Sequence, residues 1–304
     1  MQLKPINQQV VVVVGASSGI GRNAALQFAQ RGAKVVVAAR SQSGLESLVE
    51  EIQSLGGEAI AVVADVTVFE QVKAIADRAV EQYGRLDTWV HNAAVEIYAP
   101  FEIKTREEFK RVIDVNLMGQ VHGAMVALPH LKSEGRGALI HVTSVEAKRS
   151  LPLQSAYATS KHAVNGFLES LRVELMSEKL SISVTEIMPA GINTPLFNKA
   201  RTKLGVKPMP TPPIYDPSLV ALAIIEAAEH PRREVIVGDA GKLILLAQRI
   251  SPELVDAYML QSGFDSQHTN EPKSENAPSN LFEPISGYDK IQGDFGDQAR
   301  FFSF

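Results

Sequence analysis

The stretch VVVVVGASSGIG, from Val10 to Gly21, joins a run of five valines to a turn with three glycines. A continuous apolar run of this length is typical of a strand covered on both faces. Glycines after such a strand let the chain turn sharply and bring free amide groups of the next helix close to a phosphate. The spacing is Gly-x-x-x-Gly-x-Gly rather than Gly-x-Gly-x-x-Gly. The pattern predicts a dinucleotide site that includes Gly15, Ser17, Ser18, Gly19, Ile20 and Gly21.

Strand-like and helix-like segments alternate along the chain as far as about residue 240. Because the strand-like runs are apolar throughout, we expect parallel strands joined by right-handed helical crossovers. This rhythm predicts an α/β doubly wound parallel sheet, the Rossmann fold, with about seven strands. It also favours a nucleotide site over an ordinary tight turn at the glycines. The predicted strands are Val10–Val14, Lys34–Ala39, Ala59–Ala64, Thr88–His91, Ala138–Thr143, Ser183–Met188 and Glu234–Val237.

The composition excludes several classes of function. The chain has 304 residues, 45% of them hydrophobic, and a formal charge of −4 with scattered basic residues, so no nucleic-acid partner is expected. The absence of cysteine excludes disulfides and thiolate metal sites and fits a reducing cytoplasm, where we expect the protein to be located. No metal site is predicted. Apolar runs such as Val10–Val14 and Leu243–Ala247 are too short to cross a bilayer, so no integral membrane segment is expected.

The second predicted strand ends in Ala38-Ala39-Arg40-Ser41. Proteins that bind NAD usually have an Asp or Glu at this position, which bonds the ribose 2′-hydroxyl. Arg40 can instead pair with a 2′-phosphate, and no carboxylate is present there to repel it. We therefore predict that Arg40 and Ser41 bind NADP(H) in preference to NAD(H). The alternative is that Arg40 stacks on the adenine of either cofactor.

A group of reactive side chains follows the fifth predicted strand. Ser144 ends this strand, and Tyr157 and Lys161 lie one turn apart on the next predicted helix, so their side chains share a face. A nearby ammonium stabilises a phenolate, so Lys161 is expected to lower the pKa of Tyr157. Tyr157 would act as the general acid/base, and Ser144 would hydrogen-bond the substrate oxygen. Taken alone, a Tyr-x-x-x-Lys pair is more often an exposed helix face than a site.

These residues belong to a longer series of motifs in a fixed order. The series is Gly15-x-x-x-Gly19-x-Gly21, Asp65-Val66, Asn92-Ala93-Ala94, Asn116, Ser144, Tyr157-x-x-x-Lys161 and Pro189-x-x-Ile192-x-Thr194. From about Val10 to Val237 the chain resembles the compact (classical) subgroup of the short-chain dehydrogenase/reductase family. The resemblance implies the strand order 3-2-1-4-5-6-7 and assembly as a homodimer or homotetramer. It also implies hydride transfer between a nicotinamide cofactor and a carbonyl or secondary alcohol.

The resemblance implies a role for each matching position. In relatives, the residue matching Asp65 bonds the adenine amino group, and the residue matching Val66 contacts the ring. Lys161 would bind the nicotinamide ribose, and Asn116 would hold a water that links Lys161 to solvent. Alanine stands in place of the family's usual glycine in two of the remaining motifs, which narrows the space beside the cofactor. Further cofactor contacts are implied for Asn92, Ala93, Ala94, Tyr157, Pro189, Ala190, Ile192 and Thr194.

The residues from 1 to 262 are predicted to form the catalytic domain, within which 193–216 resembles the variable substrate lid of the family. The prolines and apolar residues of this lid, among them Leu196, suit an apolar substrate. Leu243–Leu260 is predicted to be a helix that extends the apolar wall, joins a dimer interface or rests on a membrane surface. The polar tail, 263–304, is interpreted as a loosely ordered appendage or as an arm that packs on a neighbouring subunit.

Three charged residues, Glu96, Glu146 and Lys148, follow predicted strand ends at the mouth of the site. They are interpreted as solvated loop charges or as substrate contacts. His91 continues a predicted buried strand and is expected to find a backbone or cofactor-side hydrogen bond. The predicted substrate contacts are Ser144, Glu146, Tyr157 and Leu196.

Two classes of function fit these residues. One is an NAD(P)-dependent oxidoreductase that moves a hydride to or from a small-molecule carbonyl or alcohol, with NADPH favoured and carbonyl reduction the expected direction. The other is a non-catalytic protein that senses NADP on the same fold. The presence of Asn116, Ser144, Tyr157 and Lys161 together favours the enzyme. Within the enzymes, an epimerase or dehydratase that uses the same tyrosine and lysine is the alternative.

Overall fold

The structure, a computed structural model, describes residues 3–302. The strands are β1 (Val10–Val14), β2 (Lys34–Ala39), β3 (Glu58–Val63), β4 (Thr88–His91), β5 (Ile97–Tyr98), β6 (Arg136–Val142), β7 (Ser181–Pro189), β8 (Arg201–Thr202), β9 (Val206–Pro208), β10 (Glu234–Val237) and β11 (His268–Pro272). The helices are α1 (Gly19–Gln30), α2 (Gln42–Ser54), α3 (Phe69–Tyr83), α4 (Arg106–Ile113), α5 (Gly119–Ser133), α6 (Ser155–Ser177), α7 (Leu196–Lys199), α8 (Pro217–Glu229), α9 (Asp239–Ile250) and α10 (Pro252–Ser262).

Seven strands form one parallel sheet in the order β10-β7-β6-β4-β1-β2-β3. Counted along the chain, these are strands 7-6-5-4-1-2-3, so the predicted sheet and its order are confirmed. The first, second, fourth and seventh strands have the predicted bounds, whereas the other three begin earlier, at Glu58, Arg136 and Ser181. These polar residues pair with the neighbouring strand but lie outside the apolar core, so hydrophobic pattern alone does not include them.

The residues of β1 show how the two faces of the sheet are covered. Val11 and Val13 pack in the core formed with α1, α2 and α8, whereas Val10, Val12 and Val14 pack against α3, α5 and α6. All five valines are buried. Burial of each such side chain stabilises the folded state by about 1.5–3 kcal/mol. A strand that is buried on both faces therefore has no alternating polar residues. The two helical layers leave the carboxyl edge of the sheet open for a site.

The segment predicted to be one helix, Leu243–Leu260, belongs to two helices that meet at Ser251. Pro252 causes the difference, because it lacks an N–H group and fits only the first turn of a helix. In the part of the chain from 3 to 302, no helix is long and apolar enough to span a membrane. Leu245 is buried, and the exposed apolar residues of these two helices include Leu243, Leu246, Ile250, Leu254, Tyr258 and Leu260.

The described part of the tail, 263–302, packs on the same chain. Strand β11 pairs with β9 of the lid, and the amide of Arg300 donates to the carbonyl of Ile214 at 2.9 Å. Leu281 and Phe295 are buried. The composition favoured a loosely ordered appendage, but two apolar anchors and backbone hydrogen bonds hold this segment over the lid. Contact of the tail with a neighbouring subunit stays a prediction.

Candidate active site

A cleft of about 620 Å³ opens at the carboxyl edge of the sheet. Parallel strands end together at this edge, which is where doubly wound sheets bind their ligands. The cleft is bordered by the glycine turn, the strand ends, the lid, α9, α10 and the tail. Of the predicted site residues, all line the cleft except Gly21 and Asn116, which lie behind it. The sequence motifs therefore converge on one place.

The glycine turn brings two backbone segments into contact. Gly15 has a φ of +84°, and a Cβ atom there would lie 2.6 Å from the backbone nitrogen of Ala93. A Cβ atom on Gly21 would overlap the carbonyl oxygen of Gly15. Only glycine fits at these two positions, so the start of α1 can approach a ligand through its backbone. This is the cradle that a pyrophosphate requires.

Two groups from elsewhere in the chain contact this turn. The amide of Gly19, the first residue of α1, donates to the carbonyl of Lys290 in the tail at 2.9 Å. The ammonium of Lys199, from α7 of the lid, donates to the hydroxyl of Ser18 at 2.6 Å. Burial lowers the pKa of Lys199 to about 8. The turn therefore has a cation beside it, and one of its expected phosphate-binding amides has a partner in the tail.

Arg40 lies at the predicted adenosine end of the cleft, and its guanidinium is held by the tail. It donates to the carbonyls of Asn280 and Phe282, each at 2.6 Å. Arg111 donates to the intervening carbonyl of Leu281 at 3.0 Å. Three successive tail carbonyls are thus held by two arginines. Arg40 is positioned where a 2′-phosphate was expected, with neutral carbonyl groups as its present hydrogen-bond partners.

Asp65 stands beside this cluster. Its carboxylate accepts from Arg111 at 2.7 Å and from the amide and hydroxyl of Thr67 at 2.9 and 2.8 Å. Across the cleft, the side-chain amide of Asn92 donates to the carbonyl of Gly15 at 3.3 Å. Both side chains therefore support the loops that line the cleft, alongside the cofactor contacts that the resemblance implies for them.

The predicted reactive residues meet at the other end of the cleft. Ser144 follows β6, accepts from the amide of Glu146 at 3.1 Å and hydrogen-bonds the hydroxyl of Tyr157. The ammonium of Lys161 lies 5.2 Å from the ring centre of Tyr157 and donates to the carbonyl of Val142 at 3.2 Å. Ser144, Tyr157 and Lys161 are all buried. The helical spacing thus forms a buried group and not an exposed helix face.

The expectation that Lys161 lowers the pKa of Tyr157 is not met. Burial raises the pKa of Tyr157 well above its ordinary value of 10.0, and the carboxyl groups of Glu96 and Glu146 raise it further. Burial also lowers the pKa of Lys161 to about 8. The spacing of the motif shows that the two side chains are neighbours, but it does not show how little water reaches them. With a raised pKa, Tyr157 keeps its proton at neutral pH.

Asn116 lies in a π-helical turn, Asp114–Met118, between α4 and α5. Its side-chain oxygen accepts from the amide of Val95 at 2.8 Å, and its nitrogen donates to the carbonyl of Val95 at 2.9 Å and to Ser160 at 3.3 Å. Such turns often occur at functional sites. Asn116 thereby joins the loop after β4 to α6, which carries Tyr157.

The solvated interpretation of Glu96 and Glu146 is wrong. Both side chains are buried and line the cleft near Tyr157. The loops after β4 and β6 fold inward under the lid, a tertiary contact with no local sequence signal. Lys148 differs, because it is partly exposed and pairs with Glu234 at 3.2 Å.

The expected hydrogen bond of His91 is not found. Within residues 3–302, neither ring nitrogen of His91 has a hydrogen-bond partner, and the ring stacks on His141 at 6.3 Å. Burial lowers the pKa of His91 well below its ordinary value of 6.5. The neutral ring of His91 is therefore part of the buried core and does not act as a base.

Sequence reasoning missed several residues that border the cleft. Some belong to the lid and the C-terminal helices, whose apolar character was recognised without their positions. Others lie in the tail, where the composition carried no signal. The missed residues include Tyr98, Gln154, Lys199, Ile244, Tyr258, Met259, Asn280, Pro284, Ile285 and Asp289.

Comparisons with known proteins agree with this geometry. The short chain dehydrogenase family model matches residues 9–205. The chain is 41% identical to the uncharacterized oxidoreductase YxnA of Bacillus subtilis, over 94% of this chain and 81% of YxnA. An alcohol dehydrogenase from Thermococcus sibiricus, complexed with 5-hydroxy-NADP, has a TM-score of 0.66 and 26% identity, over 75% of this chain and 95% of the other. A short-chain dehydrogenase/reductase from Burkholderia phymatum, in complex with NAD, has a TM-score of 0.76 and 25% identity, over 83% and 96%.

The chain therefore belongs to the short-chain dehydrogenase family, as its motifs indicated. It is an oxidoreductase that acts on CH–OH groups with NAD or NADP as the acceptor.

Proposed function

We propose that the protein is a carbonyl reductase that prefers NADPH and uses Tyr157 as its general acid. The observation that carries this proposal is the buried contact of Ser144 with Tyr157, beside Lys161, at the end of a cleft that begins at the glycine turn. A phenol with a raised pKa holds its proton until a stronger base forms next to it. The oxygen of a carbonyl under reduction becomes such a base.

Three side chains have separate roles in this reaction. Ser144 orients the substrate oxygen by a hydrogen bond, and Tyr157 donates its proton to that oxygen as negative charge develops on it. The Lys161 ammonium, held by the Val142 carbonyl, lies beside the resulting phenolate and would offset part of the cost of burying that charge, although burial outweighs it in the pKa of Tyr157. The nicotinamide, when bound, supplies the hydride. Burial of these groups excludes water that would compete for the proton.

The residues of the cleft fit a nicotinamide dinucleotide. The glycine turn allows the backbone approach that a pyrophosphate needs, and Lys199 adds a positive charge there. Arg40 and Ser41 would hold the 2′-phosphate, and Lys161 the nicotinamide ribose. One of the two related structures binds 5-hydroxy-NADP and the other binds NAD, so the proposed preference for NADPH depends on Arg40. The remaining contacts would come from Ser17, Ser18, Gly19, Ile20, Asp65, Val66, Asn92, Ala93, Ala94, Pro189, Ala190, Ile192 and Thr194.

The substrate end supports an apolar carbonyl compound. Its walls are formed by lid and helix residues, among them Leu196, Phe197, Ile244 and Met259. Apolar walls with a few convergent polar groups are typical of small-molecule sites. Ser144, Glu146 and Tyr157 supply polar groups at this end.

Titration of the purified protein with NADPH and NADH, followed by a panel of carbonyl compounds, tests the proposal. We expect tighter binding of NADPH, oxidation of NADPH with at least one carbonyl, and a large loss of this turnover in Tyr157→Phe. Binding of NADPH without any turnover would favour the sensor, and conversion without net oxidation of NADPH would favour an epimerase or dehydratase. Failure of both nucleotides to bind would refute the role of the glycine turn.

We also propose that the protein is cytoplasmic and assembles as a homodimer or homotetramer. The exposed side chains of Ile250, Leu254 and Leu260 support assembly, because apolar surface of this kind is usually covered by a partner. Light scattering of the protein and of Leu254→Asp would test it. A monomeric wild-type protein would overturn this assignment.

A further inference from the structure

Two acidic side chains are buried at the substrate end of the cleft. Glu96 follows β4 and is 2% exposed, and Glu146 lies in the turn after β6 and is 5% exposed. Both line the cleft near Tyr157. The positive charges that act on Glu96 are Lys161 and Lys104, and the hydroxyl of Tyr98 bonds its carboxyl group. Proton transfer by Ser144, Tyr157 and Lys161 does not use either carboxyl group.

The side-chain amide of Gln154 lies between Gln267 and these two carboxyl groups. The side-chain nitrogen of Gln267 donates to the carbonyls of Pro152, at 3.0 Å, and Gly263. The side-chain oxygen of Gln267 is therefore an acceptor, and the side-chain nitrogen of Gln154 donates to it at 2.5 Å. The oxygen of Gln154 then faces Glu146 Oε1 at 2.8 Å and, still closer, Glu96 Oε1.

An amide oxygen and a carboxylate oxygen are both acceptors, so such contacts require a carboxyl proton between them. The opposite orientation of the Gln154 amide would let its nitrogen donate to both carboxyl groups, but it would place its oxygen against the oxygen of Gln267. That arrangement would break the contact with Gln267, whose own orientation is fixed by two backbone carbonyls. The network is therefore satisfied only when Glu96 or Glu146 donates to Gln154.

Electrostatics lead to the same protonation state. Burial raises the pKa of Glu96, and burial together with the charge of Glu96 raises the pKa of Glu146. Two neighbouring carboxyl groups with little water cannot both ionise easily, so they titrate as a pair. A substrate oxygen in the cleft would compete with Gln154 for this proton, and the other oxygens of the pair are acceptors, in a cleft whose other walls are largely apolar.

We propose that Glu96 and Glu146 form a proton-sharing pair that recognises a second oxygen atom of the substrate. The substrate class is then an apolar carbonyl compound that also bears a hydroxyl or carbonyl group, placed to reach the pair while its reacting carbonyl lies at Ser144 and Tyr157. A neutral carboxyl group donates to a carbonyl and accepts from a hydroxyl. A plain hydrocarbon ketone would leave this polar pair facing apolar surface. The inference rests on the proposed carbonyl reduction and names its substrate.

The first test measures binding, so that it does not depend on turnover. Calorimetry follows the titration of matched cyclic ketones into NADPH-loaded Tyr157→Phe protein. Each series contains a plain ketone and analogues that carry a hydroxyl, a second carbonyl or an amino group. We expect the oxygenated compounds to bind about 10- to 100-fold more tightly than the plain ones, the loss typical of an unpaired buried polar group. Glu96→Leu and Glu146→Leu, added to this background, remove donor and acceptor together and should abolish most of that preference, whereas the glutamine variants keep a neutral donor and acceptor and should retain part of it. Glu102→Leu, at an exposed acid in the same loop region, is the matched control and should keep the full preference.

Equal binding of plain and oxygenated ketones would overturn the proposal, and so would an unchanged preference in both leucine variants. Tighter binding of the aminated compounds would also overturn it, because an ionised pair would then be the recognising group. The same panel with wild-type protein tests the reductase separately. A binding preference without turnover would contradict the proposed reaction while supporting the pair.

A second measurement examines the proton directly. Infrared difference spectra of the wild type between pH 6 and pH 9.5 should show the loss of a protonated carboxyl band, and this change should be absent or reduced in Glu96→Gln and Glu146→Gln. A spectrum in which neither variant differs from the wild type would overturn the shared proton.

Discussion

The glycine turn and the C-terminal tail meet in the same cleft, but they differ in how their sequences relate to their contacts. The turn is a local motif, in which φ at Gly15 and close packing at Gly21 select the residues. The tail reaches the cleft mainly through backbone carbonyls, those of Asn280, Phe282 and Lys290. Every residue has a carbonyl, so such contacts leave no residue signature. Motifs therefore show where a ligand is held, but not which part of the same chain competes for that place.

The largest expected effect concerns the reactive end of the cleft. Tyr157→Phe should lower kcat by about 10²- to 10⁴-fold, the usual contribution of a positioned general acid. NADPH affinity should change little, because the lost hydroxyl contacts Ser144. Steady-state oxidation of NADPH with a carbonyl substrate measures the loss. A variant that keeps wild-type kcat would show that another group donates the proton.

Arg40→Asp tests whether the adenosine end distinguishes the two nucleotides. A charged hydrogen bond contributes roughly 1.5–3 kcal/mol, so the ratio of NADPH to NADH affinity should fall by about 10- to 100-fold. NADH affinity should not fall, because the new carboxylate can bond the ribose 2′-hydroxyl of NADH. Fluorescence titration with both nucleotides gives the ratio. An unchanged ratio would mean that Arg40 serves only to hold the tail.

The sheet, its order and the reactive triad could be predicted because each follows from a local pattern. Five valines in a row require cover on both faces, and a spacing of four places Tyr157 and Lys161 on one face of α6. Burial of Glu96 and Glu146 could not be predicted, since it arises when separate loops fold under the lid. For the same reason the motif predicts the wrong direction for the pKa of Tyr157, since burial and the carboxyl groups of other loops raise it.

The buried acids should also affect stability in a pH-dependent way. Glu96 has a pKa raised above its ordinary value of 4.5, so the unfolded chain loses this proton at a lower pH than the native protein does. The native state then binds more protons than the unfolded state, and the wild type loses stability as the pH rises from about 4.5 through the native pKa. Glu96→Gln lacks this loss.

Between pH 5 and pH 7.5, the stability of Glu96→Gln relative to the wild type should therefore increase by roughly 1–2 kcal/mol. Urea unfolding at the two pH values measures the difference, with Glu102→Gln as the exposed control. A difference that stays constant, or shrinks, as the pH rises would contradict a raised native pKa for Glu96.

The smallest expected effect concerns the tail, and it tests the comparison directly. Leu281 is fully buried between two residues whose carbonyls hold Arg40, whereas its neighbour Phe282 is 43% exposed. Leu281→Asp should release this segment and free Arg40 and the amide of Gly19 for a phosphate. Each competing hydrogen bond contributes about 0.5–1.5 kcal/mol net, so NADPH should bind about three- to tenfold more tightly. Phe282→Asp changes the same charge at an exposed position and should leave the affinity nearly unchanged. Weaker binding in Leu281→Asp would instead mean that the tail contributes contacts to the bound cofactor, and a change in mass by light scattering would show that it also joins subunits.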